Sequence, residues 1–307
     1  MKPLIVISGP TASGKSALAL TLAECFDGEI ISVDSAQVYR GMDIGTAKPD
    51  ATTRARVAHH LIDLIAPTAV YSAARFARDA CAAIATTRAR GKRPVLVGGT
   101  MLYFKALFDG LSDLPQADAA VRKEIDIRAQ RAGWATLHRE LAQIDPVTAA
   151  RLTPADRQRI QRALEVWRIT GVPMSRLQGK QRAAYAWRDC FHIALLPENR
   201  AFLHERITQR LDAMLSNGFV EEVRRLREQY SLSPDLPSMR SVGYRQIWHY
   251  LDGAYDFKTM RAKAIIATRQ LAKRQITWLR ATPNNVAIDP FADDFAKQIT
   301  SLETALR

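Results

Sequence analysis

The stretch LIVISGPTASGKSALAL, residues 4 to 20, constrains this chain more than any other. Leu4 to Ser8 reads as a buried strand and the segment from Lys15 onward as a helix. Between them Gly9, Pro10, Thr11, Ala12, Ser13, Gly14, Lys15 and Ser16 match the GxxxxGK[ST] phosphate loop in its proper strand-to-helix context. Gly9 and Gly14 permit backbone conformations closed to other residues, so consecutive N–H groups of the loop converge on phosphate oxygens at the positive end of the helix. Lys15 adds a mobile point charge, and Ser16 a hydroxyl suited to Mg2+. Such a loop recognises a diphosphate and not the group attached to it.

Further apolar runs bounded by turn residues occur at EIISV (29–33), HLIDLI (60–65), PVLVG (94–98), FHIALL (191–196) and NVAID (285–289). Most are followed by helical patterns, which predicts an α/β fold: a P-loop NTPase-like parallel sheet flanked by helices. From 112 to 188 the strand signals stop, and three helix-patterned segments predict an all-helical insertion domain. The core is then 1–111 with 189–307, closing in long helices over 199–230 and about 258–280.

No apolar run approaches the ~20 residues a membrane span needs, so a cytoplasmic protein is expected, with no membrane partner. Cys25, Cys81 and Cys190 are dispersed and read as small buried hydrophobes, not as a disulfide framework or zinc site. The six histidines form no assignable metal or catalytic spacing. The formal charge of +13 is segregated, with +6 in 112–188 and +7 in 240–280. Such blocks suit a polyanion, whose counterions basic contacts release.

In open parallel sheets ligands sit at the carboxyl ends of the strands, which here bear the phosphate loop, Asp34-Ser35-Ala36-Gln37 and Gly98-Gly99-Thr100. Asp34 could bind Mg2+, hold a substrate hydroxyl, accept a proton from an amine, or simply shape a turn. Ser35 and Gln37 add short hydrogen-bonding groups suited to a base edge.

GPTASGKS, DSAQVYRGMDIGTAKP, LVGGTMLYFKALFDGL, QRIQRALEV, SVGYRQIWHYL and TRQLAKRQITWLR, in this order over nearly the whole chain, resemble the bacterial tRNA dimethylallyltransferases. The resemblance implies transfer of a dimethylallyl group from dimethylallyl diphosphate to N6 of the adenosine immediately 3′ to the anticodon, with Mg2+ as cofactor. It implies that Asp34 takes the N6 proton, that Thr100 lies beside the reacting groups, and that Arg210 assists the diphosphate with Lys15 and Ser16. The tRNA anticodon stem-loop would contact Asp34, Ser35, Ala36, Gln37, Thr100 and Arg122. Further contacts fall at Gln158, Arg159, Ile160, Gln161 and Arg162, and at Arg240, Ser241, Val242, Gly243, Tyr244 and Arg245. The last segment is Lys273, Arg274, Gln275, Ile276, Thr277, Trp278, Leu279 and Arg280.

On a helical wheel Arg269, Lys273 and Arg280 share an edge that faces phosphate, with Trp278 opposite, in the core. Tyr244, between Arg240 and Arg245, fits base stacking. The target base must leave its stack to present N6, at a cost the basic blocks can offset. For Arg210 an ion pair to Glu205 or Asp212 is the competing reading, and for Thr100 a turn cap. Residues alone also admit a P-loop small-molecule or nucleotide kinase, a prenyltransferase acting on free AMP, and a nucleotide-switched RNA-binding protein. A monomer is expected.

Overall fold

The computed structural model describes residues 3–112, 114–178, 183–283 and 285–306. In chain order the elements are β1 (Leu4–Ser8), α1 (Lys15–Cys25), β2 (Gly28–Val33), α2 (Ala51–Arg56), β3 (His59–His60), α3 (Ala73–Ala89), β4 (Arg93–Gly98) and α4 (Met101–Phe108). Then follow α5 (Ala119–Ala132), α6 (Trp134–Ile144), α7 (Pro146–Ala149), α8 (Arg157–Thr170) and α9 (Met174–Leu177). After them come β5 (Cys190–Leu195), α10 (Arg200–Ser216), α11 (Phe219–Gln229), α12 (Tyr244–Leu251), α13 (Phe257–Arg280), β6 (Val286–Ile288) and α14 (Phe295–Leu306). The chain divides into two compact units, Met1–Asp109 with Ala184–Arg307, and Gly110–Ala183.

In the larger unit the six strands are all parallel, in the order β3-β2-β4-β1-β5-β6. Parallel strands are covered on both faces, and the period of two divides β1 between two cores. Leu4 and Val6 join Phe76, Ala80 and Ile84 of α3, while Ile5 and Ile7 join Leu18, Ala19 and Leu22 of α1. Each Leu, Ile, Val or Phe side chain among them stabilises the fold by about 1.5–3 kcal/mol when withdrawn from water. Because β1 lies between β4 and β5, the phosphate loop after it is flanked by the Gly98 end of β4, with the Val33 end of β2 next in line.

Three expectations need correction here. The run 60–65 is not a strand beyond His60: Leu61 and Asp63 take φ of 63° and 55°, and Lys48 and Arg54 ion-pair with Asp63 at 2.6 and 2.9 Å. The segment 199–230 is two helices, broken where Gly218 takes φ 93° as the N-cap of α11. The cysteines are also not buried: Cys25, in the last turn of α1, is exposed, and Cys81 and Cys190 are half-buried.

The smaller unit contains only helices among its described residues, and α5, α6 and α8 pack Ile125, Leu137, Leu141, Ile160 and Leu164 into one core. Asp118 and Asp156 cap α5 and α8 by accepting N–H bonds from their first turns. That is the usual service of a carboxylate at a helix start.

Candidate active site

The phosphate loop closes between β1 and α1 by two local devices. Gly14 takes φ 89° as the N-cap of α1, and Ala12 takes φ 66°. Gly9 serves close approach and not unusual backbone angles: a Cβ there would lie 2.6 Å from Ser13 Oγ. Pro10 has no N–H, the Thr11 N–H donates to Gln275 Oε1 at 2.9 Å, and the Ser13 N–H points back to the Pro10 carbonyl. The Ser13 hydroxyl is buried. The N–H groups of Ala12, Gly14, Lys15 and Ser16 carry no hydrogen bond among the described residues, so the cradle is narrower than all eight positions. Uncommitted N–H groups at the start of a helix form an anion site.

A cavity of about 580 Å³ opens beside this loop. Its lining brings together Lys15, Ser16, Asp34 to Gln37, Thr100, Arg210, Arg240 to Tyr244, Arg274, Gln275 and Trp278. A second cavity, of about 470 Å³, is lined by Ala12, Gly14, Ala17, Arg206 and Gln209 together with Lys15, Ser16 and Arg210, the three residues common to both.

Neither alternative for Arg210 holds, since Asp212 is taken by Arg261 at 2.6 and 2.7 Å and Glu205 by Gln209. Arg210 has no ion pair among the described residues. Burial lowers the Lys15 pKa to about 8, helped by the Arg210 charge and opposed by Asp34. The guanidinium of Arg210 is likewise pushed down by burial and held up by Asp34. Two cations and one carboxylate therefore share this space, which leaves one positive charge in excess. The N–H groups of Ala36 and Gln37 donate to Asp34 Oδ1 at 2.8 and 3.3 Å, so the turn that its sequence position allowed does form. Oδ2 has no hydrogen bond among the described residues. Thr100 is the N-cap residue of α4 but its side chain makes no capping bond; its Oγ1 accepts the Ser35 N–H at 3.0 Å, which ties the ends of β4 and β2 together.

Other expected contact residues serve the fold. Tyr244 is 0% exposed and donates its hydroxyl to Glu222 at 2.6 Å, so it is no stacking platform. Trp278, expected in the core, is 44% exposed at the cavity, with Lys105 Nζ 5.9 Å from its ring centroid. Ile160, Ile276 and Leu279 are core residues and present no side chain to RNA. The Gln37 amide is engaged by Ser32 Oγ and the Thr46 and Ala47 carbonyls. In the smaller unit, Arg122 and Arg162 clamp the fully buried carboxylate of Glu165, and Gln161 donates to Asp126 at 2.7 Å. Gln158 and Arg159 there are exposed, as are Arg245, Lys273, Thr277 and Arg280 in the larger unit. Arg269, expected on the phosphate-facing edge, is half-buried with its Nε buried and unpartnered.

Two residues escaped sequence reasoning. Glu222 of α11 accepts the N–H groups of Asp43, Ile44 and Gly45 at 3.0, 2.6 and 3.2 Å, which fixes the loop whose Gly45, Thr46 and Ala47 wall the cavity. His192, beneath the loop on β5, bonds Ser8 Oγ at 2.7 Å and stacks on Trp187, and burial lowers its pKa to about 4. Neither belongs to a local pattern: Glu222 finds its partners in a distant loop and in α12, and His192 meets Ser8 only once β1 and β5 are side by side.

A phosphate loop of this kind, on a parallel sheet and sharing a cavity with an acid, places the chain among P-loop α/β enzymes. The family model for IPP transferase matches residues 37–282. The chain is 57% identical to a tRNA dimethylallyltransferase of Ralstonia nicotianae over 97% of this chain and 94% of the relative. It is 58% identical to one of Burkholderia ambifaria over 97% and 93%. Among solved structures it resembles the full-length tRNA isopentenylpyrophosphate transferase of Bacillus halodurans, with TM-score 0.71, 36% identity and coverage of 100% and 96%. It also resembles a eukaryotic dimethylallyltransferase acting on tRNA, with TM-score 0.77, 28% identity and coverage of 98% and 78%. The chain belongs to the IPP transferase family.

Proposed function

We propose that this chain transfers a dimethylallyl group from dimethylallyl diphosphate to N6 of the adenosine immediately 3′ to the anticodon of tRNA. The observation that carries the reading is the shared lining: Lys15, Ser16 and Arg210 border both cavities, while Asp34 and Thr100 border the larger. A diphosphate on the free loop amides, Lys15 and Arg210 would direct its allylic carbon toward the carboxylate. As N6 attacks, the C–O bond breaks and its electron pair leaves on the diphosphate, where the loop amides and two cations stabilise the growing charge. The N6 proton passes to Asp34, which relieves the positive charge forming on a weakly nucleophilic amine.

Ser16 Oγ is a hard oxygen donor on the cavity, which fits Mg2+ held chiefly by the diphosphate. When bound there, Mg2+ supplies further charge neutralisation to the leaving group. On the acceptor side, Arg240, Arg274 and Trp278 offer charge and a ring to a base drawn from its loop. The exposed Gln158, Arg159, Arg245, Lys273 and Arg280 offer phosphate contacts. A monomer, working in the cytoplasm where tRNA is found, is the unit of this reading.

The test is to incubate the protein with labelled dimethylallyl diphosphate, Mg2+ and either unmodified tRNA or AMP, with ATP as a control donor. Label is expected in tRNA alone; label only in AMP, or turnover only of ATP, rejects the reading. A pH dependence follows from Lys15. Its depressed pKa means the free loop loses that proton above about pH 8, and a diphosphate favours the charged form. Affinity for dimethylallyl diphosphate in the absence of tRNA should fall above that point by up to about tenfold per pH unit. In Lys15→Arg the guanidinium stays protonated and this slope should vanish. Calorimetric titrations of both proteins decide, and a flat wild-type profile contradicts the assignment.

A further inference from the structure

Gln275 lies in the last third of α13, among residues expected to meet tRNA, yet it is 7% exposed and its amide faces the catalytic loops. Its Oε1 accepts the Thr11 N–H of the phosphate loop at 2.9 Å, and its Nε2 donates to the Gly99 carbonyl at 2.9 Å. The fit is close, since a Cβ on Gly99 would lie 2.3 Å from Nε2. Beyond Gly99, Thr100 Oγ1 takes the Ser35 N–H, one residue after Asp34. One side chain thus joins the ends of β1 and β4, and through Thr100 the end of β2. These ends bear the diphosphate cradle and the carboxylate. On the same helix Thr268, Leu271, Arg274 and Trp278 line the cavity.

We propose that Gln275 is a positioning residue for the transfer and not an RNA contact: its two amide bonds set the register between the phosphate loop and the Asp34 turn. The inference rests on the reading of the cavity given above. An amide suits the task because it accepts and donates at once across two backbone groups. The reaction is sensitive to this register, because a misplacement of about 1 Å between reacting groups can cost about 10²-fold in rate.

Gln275→Leu keeps the approximate volume and removes both bonds. Single-turnover prenylation of tRNA by saturating enzyme and donor should slow by about 10- to 100-fold. The KM for tRNA should change by less than about threefold, whereas an RNA-contact residue would raise it instead. Gln275→Glu supplies a readout that a merely structural role would not move. Its ionised carboxylate accepts from Thr11 but repels the Gly99 carbonyl, whereas its protonated form accepts and donates as the amide does. The ratio of Gln275→Glu to wild-type rate should therefore rise as pH falls toward the carboxyl range. Taking the ratio cancels the response of the ionisable groups that both proteins share, which on this cavity are Lys15, Asp34, Arg210, Arg240, Tyr244 and Arg274.

A pH-independent ratio, or a Gln275→Leu enzyme within threefold of wild type, overturns the proposal. Should the Leu variant fail to fold, the Glu ratio decides alone. Wild type assayed alongside separates the two failures: an inactive wild type rejects the prenyl-transfer reading itself.

Discussion

Replacing Asp34 by asparagine is expected to lower prenyl transfer to tRNA by about 10² to 10⁴-fold at saturating substrates, the usual contribution of a positioned base. Asparagine separates chemistry from architecture. Asp34 Oδ1 holds the turn by accepting from Ala36 and Gln37, and an amide oxygen can keep both bonds. The melting temperature should therefore stay near that of wild type, while the proton from N6 loses its acceptor. Asp34→Ala should lose the same rate and some stability as well, because two turn N–H groups lose their partner. The donor side should respond in a definite direction. The Asp34 charge opposes the depression of the Lys15 pKa, so its removal should move the onset of weakened donor binding to lower pH. Rapid-quench turnover alongside donor titrations reads each quantity. Normal turnover by Asp34→Asn would remove Asp34 from the chemistry.

What could be read from the sequence, and what could not, follows the range of the interactions. The phosphate loop and the Asp34 turn are legible because each is one contiguous stretch whose chemistry and local geometry are specified together. Strands β1, β2, β4 and β5 announce themselves because parallel strands are apolar on both faces, a pattern that needs no partner to recognise. The run 60–65 misleads for the same reason: its apolar residues are buried, but by a turn with left-handed residues. Trp278 shows a different limit. A helical wheel sorts residues into sides but cannot say that one side of α13 opens onto a cavity, where an aromatic ring is useful and half-exposed. Tyr244, Arg122 and Arg162 look like RNA ligands by company, and their partners Glu222 and Glu165 are separated from them by 22, 43 and 3 residues. Even the short spacing gives no hint that Glu165 is buried. The Thr11–Gln275 bond spans 264 residues, and no local pattern encodes it.

Glu222 is the extreme case, and its loss should cost the most stability. In FVEEVRR it looks like one of two acidic residues on a solvated helix face, yet Glu221 is exposed and Glu222 is 2% exposed. Oε2 accepts from Asp43 and Ile44, and Oε1 from Gly45 and the Tyr244 hydroxyl. Truncation to alanine strands all four donors. At about 1–3 kcal/mol for each unsatisfied buried group, less what entering water restores, Glu222→Ala should lose roughly 3–5 kcal/mol. The melting temperature should then drop by about 10 °C, taking ~2–4 °C per kcal/mol. Glutamine is no rescue. It keeps one acceptor oxygen and turns an NH2 toward donors on the other side, so it should lie closer to alanine than to wild type. Tyr244→Phe removes a single donor and leaves the three N–H bonds, so it should cost only about 1 kcal/mol. If the carboxylate is the hub, Tyr244→Phe added to Glu222→Ala should cost less than Tyr244→Phe alone, since its hydroxyl is already stranded. The same loop walls the cavity with Gly45, Thr46 and Ala47, so the KM for tRNA should rise in Glu222→Ala. A Glu222→Ala protein melting within about 2 °C of wild type would mean that water replaces the carboxylate at little cost, and that the loop holds its shape without it.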